Sequence, residues 1–356
     1  MTEVGDVAMR LNEGIRVQEA RSCLLCGSEG TLLYQDLRDR LFGVPGTWAL
    51  ARCPKCHLVW LDPRPVPEDI GRFYIGYASH IPPNGASGPF ARFWKTVKRS
   101  VMATTLGYKT DGTNQGLGWL LSWVGLFREV GGGAGMWLEA SQRGRLLDVG
   151  CGGGEFLAQM GELGWEVVGV EPDEGAVKVA RQNFGLEVNL GTLETASVPR
   201  NSFDAVTLQH VIEHVPDPVG LLKACRQALK PGGRLVVVTP NIESLGHRWF
   251  RRAWLHLDPP RHLLLFSPRT LRESARRAGL HVREVRTTAR VAGGAWYMSR
   301  LLQRHGVLPG LSVSPQNPSL GLLLEGVIFW VMEHLLIKAR PCGEELVMVG
   351  TKEEQA

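Results

Sequence analysis

Four cysteines stand in two tight pairs, Cys23-Leu24-Leu25-Cys26 and Cys53-Pro54-Lys55-Cys56, with residues 27–52 between them. Two residues between cysteines let one turn present both sulfurs to a single ion, and two such knuckles complete a tetrahedral site. Four thiolates select zinc over harder cations, and a closed set with no open position for water makes the ion structural rather than catalytic. His57, directly after the second knuckle, is the alternative fourth ligand. A redox pair is disfavoured because the knuckles come as two. Three further cysteines, Cys151, Cys225 and Cys342, bring the total to seven. An odd number, with four in knuckles, indicates metal ligation rather than a disulfide framework.

A second stretch with chemical potential is Leu146-Leu147-Asp148-Val149-Gly150-Cys151-Gly152-Gly153-Gly154-Glu155-Phe156, which reads as a buried strand, a glycine turn and a helix start. Glycines at 150, 152 and 154 allow a sharp turn and let a ligand approach the main chain without Cβ clashes. Glu171 ends the next expected strand, where a carboxylate can accept both hydroxyls of a ribose. A pyrophosphate needs a helix N-terminus free of extra negative charge. Asp148 and Glu155 flank this loop, which suits a cationic or zwitterionic ligand better. Cys151 reads as a small residue that fits the turn, since no base is positioned to activate it.

These residues need a scaffold. From Arg145 onward short β-rich runs alternate with helical stretches, the pattern of a parallel sheet wrapped by helices. Strands are expected at 145–149, 166–171, 186–190, 203–209 and 233–239, and helices at 155–163, 173–184 and 218–229. Gly164 and Gly185 sit where helices should stop, and Ser267-Pro268 should start another. Two late strands, 281–288 and 345–351, enclose an apolar helical insertion at about 291–340. Upstream, residues 1–22 read as a polar lead-in and 23–67 as the zinc-binding unit, closed by the stiff Asp62-Pro63-Arg64-Pro65-Val66-Pro67. Residues 68–140 read as a helical connecting region, and 141–356 as the main domain. The composition, 44% hydrophobic and 21% charged over 356 residues, is that of a globular protein. A net charge of +5 permits contact with an anionic partner without demanding one.

The segments Leu147-Asp148-Val149-Gly150-Cys151-Gly152-Gly153-Gly154, Val168-Gly169-Val170-Glu171-Pro172, Ser202-Phe203-Asp204-Ala205-Val206, Leu208-Gln209-His210-Val211-Ile212-Glu213-His214-Val215-Pro216-Asp217-Pro218 and Leu229-Lys230-Pro231-Gly232-Gly233 follow in order. Together they resemble the class I S-adenosylmethionine-dependent methyltransferases, over residues 145–351. The resemblance implies a Rossmann-like methyltransferase fold: α/β, doubly wound, with a seven-stranded, mostly parallel sheet. A small N-terminal zinc-ribbon-like unit and helices inserted before the last strand complete it. It also implies that Asp148, Gly150, Gly152 and Gly154 hold the methionine part of S-adenosylmethionine and Glu171 and Pro172 the ribose, with Thr192, Leu193 and Gln209 completing the pocket. The cysteine unit is similar to the N-terminal part of sugar C-methyltransferases, where a tyrosine-containing segment follows the second knuckle, as Phe73-Tyr74-Ile75-Gly76-Tyr77 does here. The additional C-terminal domain of those enzymes is missing.

In such a fold the acceptor lies beyond the fourth and fifth strands. His210 and His214 are therefore candidate catalytic residues, together with His262 and Tyr77. Asp258 is expected to orient His262, and Arg261 to grip an anionic substrate. Alternatively, these groups are a hydrogen-bonded lid without a proton-transfer role, and His214 shapes the cofactor pocket. The expected acceptor is a small or lipid-linked metabolite, such as a sugar, glycolipid or secondary metabolite, methylated on oxygen or carbon. Nucleic acid is disfavoured, because no block of Lys and Arg interleaved with aromatics outlines a groove. An RNA methyltransferase that uses its zinc unit for recognition, or a silent cofactor-binding scaffold, are the alternatives. Glu3, Asp6 and Glu13 near the start, without an apolar run, point to a cytoplasmic protein. The apolar stretches 117–127 and 320–337 read as core cover, a dimer surface or a peripheral membrane contact.

Overall fold

The computed structural model of the chain describes residues 10–12, 14–74, 89–108, 113–308 and 320–353. Tyr77 lies outside them. Helices α1 (Pro89–Leu106), α2 (Gln115–Ser122) and α3 (Gly125–Ala134) precede the main sheet. Its strands are β1 (Arg145–Val149), β2 (Glu166–Glu171), β3 (Val188–Leu190), β4 (Phe203–Gln209), β5 (Leu229–Pro240), β6 (His281–Thr288) and β7 (Glu345–Thr351). Between them run α4 (Glu155–Glu162), α5 (Glu174–Phe184), α6 (Pro218–Ala228), α7 (Leu245–Phe250), α8 (Pro268–Arg277), α9 (Ala292–His305) and α10 (Leu320–Leu336).

Strand order is β6-β7-β5-β4-β1-β2-β3. Neighbours from β3 to β5 are parallel, and β7 runs antiparallel to both β5 and β6. The expected seven-stranded, mostly parallel sheet is thus present. Strand succession reverses between β1 and β4, so their carboxyl ends open a crevice, the position where such sheets take ligands. Both central strands are mostly apolar and buried on both faces, from Leu146 and Leu147 to Val206 and Leu208, with Asp148 and Thr207 the buried polar exceptions.

Local chemistry explains where the helices begin. Asp173 accepts from Ala176 N at 2.7 Å, Asp217 from Gly220 N at 2.9 Å and Ser267 from Thr270 N at 3.3 Å, each capping a helix start. Gly185, with φ 64°, ends α5 as expected. β5 starts earlier than its apolar run suggests, because Gly232 N and Gly233 O both bond to Lys352 beyond β7.

The described part of the lead-in is more ordered than its polarity suggests. Arg10–Asn12 pairs with Ile15–Gln18, and the latter with Arg64–Pro65. Ile15 and Val17 are buried, which the short alternation of apolar and polar residues allows once a partner strand is present. Strands Thr31–Leu37, Trp48–Arg52 and Val59–Leu61 form an antiparallel sheet whose fourth strand, Leu264–Leu265, comes from the main domain. One apolar core runs through Trp48, Leu50 and Trp60 into Leu208, Val237 and Phe266. The cysteine unit is therefore packed into the molecule rather than tethered beside it. No helix among the described residues is long and apolar enough to cross a membrane.

Candidate active site

Each knuckle is a tight turn: Gly27 N bonds to Cys23 O, and His57 N to Cys53 O. Gly27 and His57 take positive φ (71° and 69°), so His57 turns the chain at the position a glycine fills in the first knuckle. The sulfurs of Cys23, Cys26, Cys53 and Cys56 lie within 4.8 Å of one another, with separations of 3.4 Å (Cys23–Cys56) and 3.3 Å (Cys26–Cys53). Zinc–sulfur bonds of about 2.3 Å in a tetrahedron place sulfurs about 3.8 Å apart, so the set fits one ion with little movement. The four cysteines bring no other donor with them, and the alternative in which His57 replaces one is not needed.

At the crevice, the loop after β1 is shaped by Gly150, Gly152 and Gly154, with φ of 73°, 53° and 86°. A Cβ at Gly150 would lie 2.5 Å from Val211 and one at Gly154 2.5 Å from Leu186, so side chains are excluded sterically as well as conformationally. Glu171 is buried at the end of β2. Its carboxylate accepts from Gly152 N at 2.8 Å and Asp173 N at 3.0 Å, which fixes it against the glycine loop. A carboxylate offers about four lone-pair sites, the acceptor capacity that ribose hydroxyls call for. Asp148 is buried beneath the loop and accepts from Thr207 Oγ1 at 2.6 Å. Burial pushes its carboxyl up to about 7. A cationic ligand would hold it ionised, which fits a sulfonium or ammonium group and not a phosphate. Pro172 and Thr192 are exposed at the rim, Leu193 is buried under it, and Gln209 sits half-buried at the end of β4.

Four histidines converge beyond β4 and β5, and the structure assigns them different states. His210 adopts φ 53° and is clamped between two buried carboxylates, with Nδ1 3.2 Å from Glu213 and Nε2 2.8 Å from Glu345. Burial opposes its charge, yet the two carboxylates push it up to about 9. An imidazolium with both nitrogens occupied is no base, so the expectation for His210 is corrected: it is a half-buried cation held between two buried carboxylates. Glu345 is also held by Arg290, at 2.8 Å, and Glu213 accepts from Thr239 Oγ1 at 2.9 Å. Sequence reading missed Glu213, Glu345 and Arg290 as site groups. The first lies inside the Gln209–His214 stretch, and the other two come from late segments that only the sheet brings close.

His214 and His262 sit edge to face, their rings 4.7 Å apart. His214 Nδ1 lies 3.0 Å from Arg261 O and 2.9 Å from Tyr74 Oη. A carbonyl only accepts, so the proton is on Nδ1 and Nε2 is bare. The same logic applies to His262, whose Nδ1 is 2.7 Å from His256 O. Burial, reinforced by His262, brings His214 down to about 4, so it is neutral at physiological pH. Asp258 does not orient His262, as the sequence suggested. It bonds Arg261 Nε at 2.9 Å. Nor does Arg261 grip a substrate: it is fully buried, and its guanidinium forms a fork with Asp39 at 2.8 and 2.9 Å. Arginine's planar fork suits two carboxylates brought together by the fold, and it ties the N-terminal unit to the segment carrying His262. Of the expected tyrosines, Tyr74 reaches His214.

The family model of a methyltransferase domain matches residues 132–285. The chain is 42% identical over 104 residues to a ubiquinone biosynthesis O-methyltransferase of Xanthomonas oryzae pv. oryzae, covering 27% of this chain and 43% of that protein. To its namesake from Cereibacter sphaeroides it is 36% identical over 148 residues, 38% of this chain and 60% of that one. The chain thus spans about half the length of these relatives. Among solved structures, an S-adenosylmethionine-dependent methyltransferase from Thermotoga maritima, described as a possible histamine N-methyltransferase, aligns at 20% identity over 80% of this chain and 100% of its own, with a TM-score of 0.42. The match over residues 132–285 takes in the glycine loop, the acidic end of β2 and strands β1 to β5, so this part of the chain is similar to a methyltransferase domain.

Proposed function

We propose that the protein transfers the methyl group of S-adenosylmethionine to a hydroxyl of a small, lipid-linked acceptor. The observation that carries this reading is a glycine cradle backed by a buried glutamate at the ends of β1 and β2, with His214 and His262 beyond β4 and β5, each holding its Nδ1 on a carbonyl and so leaving Nε2 bare. Bound there, S-adenosylmethionine supplies an electrophilic methyl group on a cationic sulfonium. Glu171 accepts from the ribose hydroxyls, and the main chain at Gly150–Gly154 and the Asp148 carboxylate hold the methionine end. Pro172, Thr192 and Leu193 border the base, and Gln209 separates cofactor from acceptor. On the acceptor side, His262 or His214 takes the hydroxyl proton at Nε2, and Tyr74 and Arg261 O keep the His214 tautomer that makes this possible. Tyr77, beyond the described residues, belongs to the same segment as Tyr74. A structural zinc at Cys23, Cys26, Cys53 and Cys56 stiffens the unit that carries both tyrosines.

Oxygen is favoured over carbon because the relatives are named O-methyltransferases and act in ubiquinone biosynthesis. The division into a zinc unit, a helical connector and a catalytic domain from about residue 141 belongs to this reading, as does action at the cytoplasmic side of the cell. Calorimetry should show one S-adenosylmethionine site per chain, and Glu171→Ala should weaken it at least tenfold. With radiolabelled cofactor, label should enter hydroxylated lipid fractions rather than nucleotide sugars or total RNA. Label in RNA would transfer the assignment to the RNA methyltransferase class, and binding without transfer to any fraction would leave a scaffold.

A further inference from the structure

Helix α10 is apolar along most of its length, yet much of it lies on the surface. Two rows spaced by four residues, Leu320, Leu324 and Ile328 beside Leu323, Val327 and Val331, stay exposed along its length. Beneath it, Phe329 stacks on Trp296 at 4.2 Å, and Trp296 in turn meets the exposed Trp249 at 5.3 Å. The junction of α2 and α3 abuts its far end, since a Cβ on Gly125 would lie 2.8 Å from His334. That junction exposes Trp123, at 72%, and Val124.

The fully exposed charges about the carboxyl end of α10 are basic, since Glu129 beside His334 is half-buried and paired with Arg286 at 3.3 Å. Arg128 and Lys338 both act on His334, and Arg248 and Arg340 both act on Cys342, which places four exposed cations about the carboxyl end of α10. The carboxylates of the helix are already spent: Glu325 bonds Arg300 at 3.3 Å, and Glu333 is fully buried. Burial, with Glu344 nearby, pushes Glu333 up to about 9, so it is neutral at physiological pH.

We propose that this face docks on an anionic lipid bilayer, with α10 parallel to the surface, Trp123 and Trp249 at headgroup level, and Arg128, Arg248, Lys338 and Arg340 against lipid phosphates. Exposed apolar rows edged by indoles and cations suit an anionic bilayer surface, where indoles settle at headgroup level and basic groups meet lipid phosphate. A second copy of the chain would match the apolar rows but bring the same cations, and α10 offers them no carboxylate beyond Glu325, which is paired with Arg300. The proposal stands on the surface alone, whatever the acceptor proves to be, and it would set the enzyme where a lipid-linked acceptor resides.

The test is co-sedimentation of the full chain with vesicles of pure phosphatidylcholine and of phosphatidylcholine with 30% phosphatidylglycerol. Binding to the anionic vesicles should be at least tenfold tighter and weaken with salt. Leu324→Glu/Ile328→Glu and, separately, Lys338→Glu/Arg340→Glu should each reduce it at least tenfold. S-adenosylmethionine affinity, measured on the same samples, confirms that the variants fold and reports on the methyltransferase reading separately. Absent binding, equal binding to both vesicle types, or variants that bind like the parent would overturn the proposal. So would a dimer in sedimentation velocity that Leu324→Glu/Ile328→Glu dissociates without any vesicle binding by the parent.

Discussion

At the scale of single residues, the site separates histidines by their partners. His210 faces two carboxylates and carries a proton on both ring nitrogens, while His214 faces a carbonyl and a hydroxyl and carries one on Nδ1 alone. All lie within a few residues of one another or of the same loop, so spacing cannot distinguish them. His262 is the residue whose loss should separate chemistry from binding. His262→Ala should lower kcat by about 100-fold, the usual contribution of a general base, with cofactor affinity changed by less than about threefold. Unchanged turnover on the true acceptor would remove His262 from the mechanism and leave His214.

At the scale of elements, the cysteine knuckles and α10 each make a testable commitment. Elemental analysis should find one zinc per chain, lost in Cys53→Ser/Cys56→Ser. Because Cys23 and Cys53 belong to the core that continues into the main sheet, that loss should also lower the melting temperature of the whole chain. A metal-free protein of unchanged stability would reject the site. On α10, Glu333 accepts from Glu344 N at 2.7 Å while burial raises it to about 9. The native state then holds a proton that the unfolded chain releases near its ordinary value of about 4.5. The contribution is complete below that value and is lost as pH rises through 9, so stability should fall between these limits. Glu333→Gln keeps the acceptor and removes the titration. It should be the more stable protein at pH 8 by on the order of 1–3 kcal/mol, and denaturant melts across pH 5–9 would show it. Parallel pH dependence in both proteins would contradict this.

At the scale of the whole molecule, the N-terminal unit and the methyltransferase domain share a sheet, a core and a buried ion pair. Leu264–Leu265 pairs with Val59–Leu61, and Arg261 bonds Asp39 across the same junction. Asp39→Ala would leave a buried guanidinium with only Asp258 as a carboxylate partner, at a cost of about 3–5 kcal/mol. Unfolding should stay a single transition, because the core is continuous across the junction. Two separate transitions in calorimetry would show that the two parts fold independently.

Local chemistry was enough to reveal much of this design. Two Cys-x-x-Cys knuckles, the Asp148–Gly154 loop with Glu171, helix caps at Asp173, Asp217 and Ser267, and the alternation of strands and helices are all short-range patterns. Each depends on backbone geometry within a few residues, so the sequence alone determined the fold class, the grouping of the four cysteines and the seating of Glu171 against the glycine loop. Long-range contacts decided the rest. That Arg261 turns to Asp39 rather than to a substrate, that His210 is clamped by Glu345, and that Tyr74 meets His214 depend on pairs separated by 222, 135 and 140 positions. The polar lead-in likewise became a hairpin only because Arg64–Pro65 offered it an edge. Desolvation explains why such contacts escape the sequence: a side chain's charge state depends on what surrounds it after folding, and folding brings those neighbours from remote parts of the chain.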